Sequence, residues 1–517
     1  MPRPASILAF ASLALVTLVA TDCVTDPFCE EGQLGCSSDR CANGLRDGDE
    51  TDVDCGGSCA PCESGHACVA PADCATGRCL ASSCCEPPCE VWSRRYGGPA
   101  TERASQAVVL GDGTIVLAGV LEGTLDLGGA PLVSAGAADV FVAAFAPGGE
   151  LRWSRRFGGS AYEAQPRLAL APNGHLWLAA GFASDPLDTG AGVFEPSGAN
   201  GDLFVVELDA QGQSIQARAF SSHGFGVAFV DIAATADGGL VLTGALGRLD
   251  LGNGTVLSAA FDPAIGTRHD VFVLALDAAL EPVWSRRLGD ASEDTAYGLA
   301  LGPQGDVVLL VEAQTSTDFG GPPLAQPGLV VAAYAQHDGS HRWSRSYGGG
   351  VRPIALQVDG AGDVFVAGDL TGEADLGTGK LRPKGTTDAF VARLGVDGAP
   401  AWVAPVAASV DARTLALLRR AEGGLVAALV VTGDVDLGGG ITAPVGVDSL
   451  VLVRLDLDGR FEWARGAGGV FLKVPVGLAD LPEGRLLAFG GFAGTLELTP
   501  PLLSAGSSDV FASELLP

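Results

Sequence analysis

The sequence predicts an all-β protein: a seven-bladed β-propeller of four-stranded antiparallel blades, preceded by a small disulfide-rich domain. Three observations support this prediction. A segment like Glu150 to Gly159, ELRWSRRFGG, recurs seven times at steps of 59 to 67 residues, a period typical of propellers and solenoids. The 74 Gly and 30 Pro in a chain that is 47% hydrophobic are typical of many short strands joined by tight turns. All 13 Cys lie between Cys23 and Cys89, outside the repeats.

Residues 1–22 are predicted to be a secretory signal peptide. A single Arg precedes an apolar run from Ile7 to Ala20, which is too short for a stable membrane span. Cys23 follows, in the place of the lipid-modified Cys of bacterial lipoproteins, although Asp22 replaces the small residue that lipoprotein processing prefers. Two alternatives remain: Cys23 is a lipid anchor, or cleavage falls near Ala20. Both predict an exported protein of the outer membrane, the periplasm or the extracellular space.

Residues 23–89 are predicted to form a cysteine-rich disulfide module. An exported segment this short cannot bury a large core, so disulfides stabilise it instead. A zinc site at Cys59 and Cys62 is the alternative, which export and the lack of a regular four-ligand spacing disfavour. The adjacent Cys84 and Cys85 are each expected to pair with a different Cys.

An acidic loop in this module is a candidate calcium site. Five acidic residues lie within eight positions, among glycines that permit tight turns, and calcium needs many oxygen ligands from a short segment. The alternative is a solvated acidic loop. The stretch from Cys41 to Cys84 resembles a Cys- and Asp-rich module of other secreted bacterial proteins, which implies an extracellular location. The candidate metal ligands are Asp47, Asp49, Asp52 and Asp54.

Residues 90–517 form the predicted propeller, and each repeat divides into four short runs separated by turn signals. This pattern is typical of a four-stranded antiparallel meander. The turn after the first strand is the sharpest marker, because its Gly supplies the positive φ of a two-residue hairpin. Seven such turns predict seven blades. They are Asp112-Gly113, Asn173-Gly174, Asp237-Gly238, Gln304-Gly305, Ala361-Gly362, Glu422-Gly423 and Glu483-Gly484.

The third and fourth strands carry large residues at a fixed register. The third strand begins with Asp in six repeats, and Phe or Leu follows two residues later, whereas the fourth repeat has Gly328 and Val330. The fourth strand carries Trp in six repeats, and Ala217 is assigned to the seventh position. Large residues on one side of a strand most simply fill the space between blades. The apolar residues are Phe141, Phe204, Phe272, Phe390, Leu450 and Phe511, and the Trp residues are Trp92, Trp153, Trp284, Trp343, Trp402 and Trp463.

The two ends of the repeat series predict that the ring is closed. The last repeat stops after its third strand, while the first is preceded by VWSRRYGG without earlier strands. The strand around Trp92 is therefore expected to complete the blade whose other three strands are C-terminal. Such closure removes the exposed sheet edges of an open meander.

The segment DVFVAAFAPGGELRWSRRFGG and its copies resemble the bacterial secreted seven-bladed propeller repeat, of the SBBP type, over residues 92–517. The resemblance implies the fold and hardly any function. A Gly and a Trp four residues apart, as in Gly149 and Trp153, are also similar to the docking motif of quinoprotein propellers. That likeness implies a packing role for the two residues.

The charge balance excludes one class of partner. With 31 basic and 61 acidic residues the formal net charge is −30, and such a surface repels nucleic acids and anionic membranes. We therefore predict no nucleic acid partner, membrane association only through an N-terminal lipid, and a monomer.

The predicted propeller has two faces. We call the side with the X-Gly turns the hairpin face and the side with the longer loops the loop face, and we expect binding on the loop face. Glu102, Glu163, Glu293 and Asp294 lie in loops of that face, and His269 ends its longest loop. An acidic residue also follows the second strand of every repeat. These recurring acids are Asp126, Asp188, Asp250, Asp318, Asp375, Asp436 and Glu497.

The recurring carboxylates have two interpretations. As a ring they would attract cations or a basic partner, and as turn residues they would cap backbone N–H groups. No residue is assigned a catalytic role, because the sequence has no nucleophile elbow, zinc-protease helix or phosphate loop. The expected function is an exported binding or scaffold protein that recognises a protein or polysaccharide, with calcium as the only cofactor considered. The alternative is a secreted carbohydrate-active enzyme, a hydrolase or lyase, that uses the acidic face.

Overall fold

A computed structural model describes residues 41–516, with gaps at 81, 86–88, 199–200, 260, 263–265, 268, 291, 316–317, 325, 438–440, 444–445, 447 and 472–475. The predicted signal peptide and the candidate lipid anchor Cys23 lie outside the described residues. The chain divides into two compact units, and the boundary between them falls between Val91 and Trp92. No helix in the described part of the chain is long and apolar enough to cross a membrane.

The N-terminal unit is a disulfide-rich module with little regular structure. It contains a 3₁₀ helix at Pro71–Asp73 and an antiparallel pair of short strands, β1 (Cys79–Leu80) and β2 (Ser83–Cys84). Five disulfides stabilise it, and they include different partners for the two adjacent cysteines, as predicted. The zinc alternative is wrong, because both of its cysteines are oxidised. The pairs are Cys41–Cys59, Cys55–Cys62, Cys68–Cys79, Cys74–Cys84 and Cys85–Cys89.

The second unit is a seven-bladed propeller whose blades pair their strands antiparallel in chain order. β3 (Cys89–Tyr96) precedes the first blade. Blade 1 contains β4 (Glu102–Val109), β5 (Ile115–Leu121), the short pair β6 (Thr124–Leu125) and β7 (Leu132–Val133), β8 (Asp139–Phe145) and β9 (Leu151–Phe157). Blade 2 contains β10 (Glu163–Leu170), β11 (Leu176–Phe182), the short pair β12 (Leu187–Asp188) and β13 (Val193–Phe194), β14 (Asp202–Leu208) and β15 (Ser214–Phe220).

Blades 3 and 4 keep the order of the four long strands. Blade 3 has two short pairs on the loop face, one more than blades 1 and 2, and the described part of blade 4 has none. Blade 3 contains β16 (Val227–Ala234), β17 (Leu240–Leu246), β18 (Arg248–Asp250), β19 (Val256–Ser258), β20 (Phe261–Asp262), β21 (Gly266–Thr267), β22 (Asp270–Leu276) and β23 (Pro282–Leu288). Blade 4 contains β24 (Thr295–Leu301), β25 (Asp306–Ala313), β26 (Gly328–Ala335) and β27 (His341–Ser346).

Blades 5 and 6 each repeat the four long strands with one short pair. Blade 5 contains β28 (Val351–Val358), β29 (Val364–Leu370), β30 (Ala374–Asp375), β31 (Lys380–Leu381), β32 (Asp388–Leu394) and β33 (Pro400–Val406). Blade 6 contains β34 (Asp411–Arg419), β35 (Leu425–Thr432), β36 (Val435–Asp436), β37 (Thr442–Ala443), β38 (Ser449–Leu455) and β39 (Phe461–Ala467).

Blade 7 combines the two ends of the propeller sequence. It contains β40 (Val470–Phe471), β41 (Val476–Leu481), a 3₁₀ turn at Pro482–Gly484, β42 (Arg485–Leu496), β43 (Leu502–Leu503) and β44 (Asp509–Leu516). The N-terminal strand β3 pairs with β44 as the outermost strand of this blade, which confirms the predicted closure. The first strands of all seven blades contact one another in sequence around the axis, and β41 contacts β4.

The core of the propeller lies between neighbouring blades. Phe141 of blade 1 packs in one cluster with Leu487 and Phe489 of blade 7, and each of the predicted third-strand Phe and Leu residues is buried. Burial of one such side chain contributes about 1.5–3 kcal/mol. The predicted role is confirmed for the five Phe residues. In blade 6 the predicted register is wrong by one residue, because the third strand begins at Ser449 and Val451 takes the place assigned to Leu450.

The fourth-strand Trp docks each blade against the next one. The indole Nε1 of Trp153 donates to the carbonyl of Ala210 at 2.9 Å, in the turn before the fourth strand of the following blade. Strand pairing places Gln216 at the equivalent register, because it lies opposite Glu207 as Trp153 lies opposite Ala144. The assignment of Ala217 to the seventh Trp position was therefore wrong by one residue.

Gln216 reproduces the contact of the missing Trp. Its amide Nε2 donates to the carbonyl of Ala278 in blade 3 at 2.7 Å. The turn Gly before the fourth strand completes the dock from the following blade: a Cβ on Gly212, which has φ +76°, would lie 2.7 Å from the Trp153 ring. Three Gly of Gly-Trp pairs lie against the Trp of the preceding blade in the same way, namely Gly339, Gly398 and Gly459. The packing role implied by the docking motif is confirmed.

Candidate functional site

The recurring acids of the loop face act as turn caps. The first five each accept a hydrogen bond, of 2.6–2.9 Å, from the backbone N–H of the Gly two residues later. This geometry matches the turn interpretation. The side chain of Asp436 lies outside the described residues, and Glu497 is exposed and its carboxylate lies against Gly468. His269 Nδ1 lies 3.5 Å from Glu293. Binding by these residues stays a prediction.

The four candidate calcium ligands stabilise different parts of the N-terminal module. Asp54 accepts from the backbone N–H of residues 43 and 44, Asp47 from the Asn43 side chain, and Asp49 from the Ser58 hydroxyl. Asp52 accepts from the N–H of residue 67 at 2.7 Å, which lowers its pKa. No three of these carboxylates bring ligand oxygens within 4.8 Å of one another in the described residues. Calcium binding by these residues stays a prediction.

Three of the four acids placed in loops of the loop face are buried at blade junctions. Glu102, Glu163 and Asp294 have 0% exposure. Each lies at the start of a first strand and faces the Asp that begins the third strand of the preceding blade. They are therefore not available to a partner.

A polar cluster at the centre of the loop face departs from the repeat. At the second-strand position opposite the start of the first strand, blade 4 has Glu312 and blade 5 has Asp369. Among the first six blades, only these two neighbouring ones carry a charged residue at this position. The equivalent residues of blades 1, 2, 3 and 6 are Val120, Gly181, Ala245 and Val430.

Two side chains and one backbone N–H group, from three different first strands, join this cluster. The Tyr297 hydroxyl of β24 donates to Glu312 Oε2 at 3.0 Å. Arg352 of β28 lies 3.2 Å from Asp369 through Nη2. The backbone N–H of Thr414 in β34 donates to Asp369 Oδ1 at 2.7 Å. Blades 4, 5 and 6 are thus connected at the mouth of the central channel.

The cluster combines one buried carboxylate with two exposed guanidinium groups. Asp369 is 2% exposed, while the side chains of Arg352 and Arg413 are 51% and 56% exposed. Burial raises the pKa of Asp369, and the Thr414 N–H and Arg352 oppose this shift. Arg413 is oriented by Asp411, 2.8 Å from its Nε.

Tyr297 is held neutral in this cluster. Burial and the negative charge of Glu312 raise the pKa of Tyr297 to about 12. A phenol with this pKa is a poor nucleophile at neutral pH, but it can donate to Glu312 and accept from a ligand hydroxyl. The arrangement therefore suits recognition of hydroxyl and carboxylate groups. The recurring residues of the sequence do not predict this cluster, because its two acids are positions at which blades 4 and 5 differ from the repeat.

The hairpin face has a second concavity, which is apolar. A cavity of 830 Å³ lies among the first-strand ends and turns of blades 1, 2, 3 and 4. Leu110, Leu170, Pro172, Leu301 and Pro303 line it. The sequence places only tight turns on this face, so the cavity was not predicted. It arises because the first strands end in apolar residues around the axis.

Comparisons with known proteins find distant structural similarity only. No protein-family model and no curated protein matches the chain. A protein of unknown function from Dyadobacter fermentans aligns with 12% identity over 83% of this chain and 100% of its own, with a TM-score of 0.41. The Neurospora crassa Pan2 WD40 domain aligns with 10% identity over 83% and 98%, with a TM-score of 0.39. BamB from Moraxella catarrhalis aligns with 12% identity over 82% and 98%, with a TM-score of 0.34.

Proposed function

We propose that the protein is an exported binding protein that recognises a polysaccharide at the cell surface through the centre of the loop face. The observation that carries this proposal is the cluster of Tyr297, Glu312, Arg352 and Asp369 at the channel mouth. Hydroxyl-rich ligands need such closely spaced donors and acceptors, and a planar guanidinium also pairs with a carboxylate through two parallel hydrogen bonds.

Export is proposed from the disulfides. Five bridges in one small module are typical of an oxidising, extracytoplasmic compartment. The lipid anchor at Cys23 and the monomeric state belong to the same proposal. A protein ligand in place of the polysaccharide is one outcome of the test below.

The test is a panel of polysaccharides and envelope proteins, measured for binding to the wild-type protein and to two site variants. Arg352→Gln removes the charge and Tyr297→Phe removes the hydroxyl, so each is expected to weaken binding of the correct ligand by about tenfold or more. Arg460→Gln is the control, because Arg460 is 78% exposed in a turn of the hairpin face. Equal binding by all four proteins would show that the ligand does not use this cluster.

A carbohydrate-active enzyme is the second candidate function, since two carboxylates lie in one cluster. The same panel distinguishes it when release of reducing ends is measured alongside binding. The buried position of Asp369 and the high pKa of Tyr297 favour recognition over turnover. Release of reducing ends that Glu312→Gln abolishes would instead establish the enzyme.

A further inference from the structure

Three of the blade junctions contain the same trio of side chains, in which the two carboxyl groups are buried and the Arg is 31–37% exposed. Each trio comprises the Asp that begins the third strand of one blade, an Arg from the fourth strand of that blade, and the acid at the start of the next blade. The three members meet where two blades pack together on the loop-face side. The trios are Asp509, Arg95 and Glu102; Asp139, Arg156 and Glu163; and Asp270, Arg287 and Asp294.

The first trio lies at the junction that closes the ring. Arg95 Nη1 and the N–H of Ala505 both donate to Asp509 Oδ2 at 2.6 Å. The N–H of Gly98 donates to Glu102 Oε2 at 3.1 Å. The two other oxygens, Asp509 Oδ1 and Glu102 Oε1, are buried and have no donor in the described structure. Each carboxylate thus has one oxygen that still needs a proton donor.

In the second trio, between blades 1 and 2, Glu163 accepts from the backbone N–H of Gly159 through Oε2 and from that of Ser184 through Oε1. Arg156 pairs with Asp139 Oδ2, and Asp139 Oδ1 is buried without a donor. Glu163 Oε2 and Asp139 Oδ1 both crowd Gly158, where a Cβ would collide with each of them. The two carboxyl groups therefore approach each other directly over a glycine.

One Arg cannot neutralise two buried carboxylates. If both were ionised, the junction would hold an uncompensated buried negative charge, which is costly. Burial raises the pKa of Glu102 to about 7; the charges of Asp509 and Glu122 add to the shift, and the N–H of Gly98 and the charge of Arg95 oppose it.

The other two junctions behave in the same way. Burial raises the pKa of Glu163, with the Asp139 charge adding to the shift and Ser184 opposing it. Burial also raises the pKa of Asp294 to about 6. The charges of Asp290 and Asp270 add to that shift, and backbone N–H groups oppose it.

The Arg and the second acid are absent together where the trio is missing. At the junction of blades 2 and 3, Ala219 and Val227 replace them. At the junction of blades 4 and 5, Ser346 and Val351 replace them. Joint replacement at both junctions indicates that the Arg and the acid act as one unit.

The junction of blades 5 and 6 follows the same pattern. Pro405 takes the place of the Arg, and Ala412 takes the place of the acid, because its N–H donates to the carbonyl of Thr387 as that of Glu163 donates to the carbonyl of Ala138. Asp411 lies one residue earlier and pairs with Arg413 of its own strand at 2.8 Å.

We propose that each trio holds one proton between its two carboxyl groups, so that mild acid tightens the propeller and alkaline pH loosens it. The protonated Glu102 donates to Asp509 Oδ1, which leaves one carboxylate for Arg95. The sign follows from linkage: an acid whose pKa is raised in the folded state binds its proton more tightly when folded. The contribution of Glu102 to the free energy of unfolding therefore rises as the pH falls from about 8 towards 4.5, the pKa of this group in the unfolded chain.

The test compares melting of the full-length protein at pH 5.5 and pH 8. In Glu102→Gln the amide donates to Asp509 at every pH, so this variant should melt about 2 °C above the wild type at pH 8 and close to it at pH 5.5. Glu163→Gln should shift melting in the same direction. Glu195→Gln, at an exposed position, is the control and should change neither value.

Two results would overturn the proposal. The first is a Glu102→Gln variant that melts below the wild type by the same amount at both pH values, which is the effect of a structural role alone. The second is a wild-type difference between pH 5.5 and pH 8 that EDTA removes, because a bound cation would then occupy the place of the proton. Amide exchange at pH 8 gives an independent readout, in which β3 and β44 should be better protected in Glu102→Gln than in the wild type.

Discussion

The indole Nε1 of Trp92 donates a hydrogen bond to Glu514 Oε2 at 2.8 Å, across 422 residues of sequence. Glu514 is buried, and its other carboxylate oxygen accepts from Arg485 at 2.6 Å. Ser93 and Ser513 add a contact of 2.8 Å between the same two strands. The first and last strands of the propeller are thus joined by side chains as well as by the sheet.

Trp92→Phe should therefore destabilise the C-terminal blade selectively. The substitution keeps the apolar ring and removes the N–H, which leaves Glu514 less well compensated and costs about 1–2 kcal/mol. Amide exchange in β44 should increase. Trp402→Phe is the matched control, since its N–H donates to the carbonyl of Leu457 between blades 5 and 6; it should lower stability without changing β44. If β44 remained equally protected after deletion of residues 90–97, closure by β3 would be disproved.

Gly459→Ala should test the docking of Trp against the following blade. Gly459 has φ +82°, and a Cβ there would lie 2.8 Å from the Trp402 ring. We expect a loss of about 3 kcal/mol from backbone strain and overpacking together. Gly174→Ala is the control, because Gly174 has φ +83° with open space around it. Its loss should be about 1 kcal/mol, from strain alone. Equal losses in a denaturant titration would show that the Trp contact contributes nothing.

The repeat predicted the blades because each one repeats the same turn glycine and the same buried large residue. The repeat pattern assigned the seventh Trp position to Ala217, which is wrong by one residue. The spacing from Gly212 sets the register and places Gln216 there. Gln216 has no indole ring and reproduces only the hydrogen bond that Trp makes in other blades. The polar cluster was not predicted for a related reason. Glu312 and Asp369 are charged where the repeat has an uncharged residue, so a pattern of recurring residues does not include them. Glu102 and Glu163 were expected in loops of the loop face, but both are buried. Their burial results from the packing of two blades over the loop, which the sequence pattern of a single repeat does not predict.

Reduction should unfold the N-terminal module and leave the propeller folded. All seven Trp lie between Trp92 and Trp463, so Trp fluorescence reports on the propeller alone. The module depends on its five disulfides, because loss of each one costs about 2–5 kcal/mol in a small domain. We expect an unchanged fluorescence melting temperature in dithiothreitol, and new protease cleavage within residues 41–91. A lower fluorescence melting temperature would show that the propeller depends on the intact module.

The state of Cys23 can be determined by mass. A lipid anchor predicts an intact mass that begins at Cys23 and carries acyl chains, together with recovery in the membrane fraction. Cys23→Ser should then move the protein to the soluble fraction without a change in propeller melting. A mass that begins near residue 21 without acyl chains would establish simple cleavage instead. The mass before and after reduction also counts the disulfides.

Substitution of a recurring acid should separate the turn role from a binding role. Asp126 is exposed and accepts from the N–H of Gly128 at 2.8 Å. Asp126→Asn keeps an oxygen acceptor and removes the charge, whereas Asp126→Ala removes both. A turn role predicts unchanged stability and ligand binding for Asn, and a loss of about 0.5–1 kcal/mol for Ala. A binding role predicts that both variants lose affinity equally at unchanged stability. Since the carboxylate oxygen already accepts from the backbone, we expect the first result.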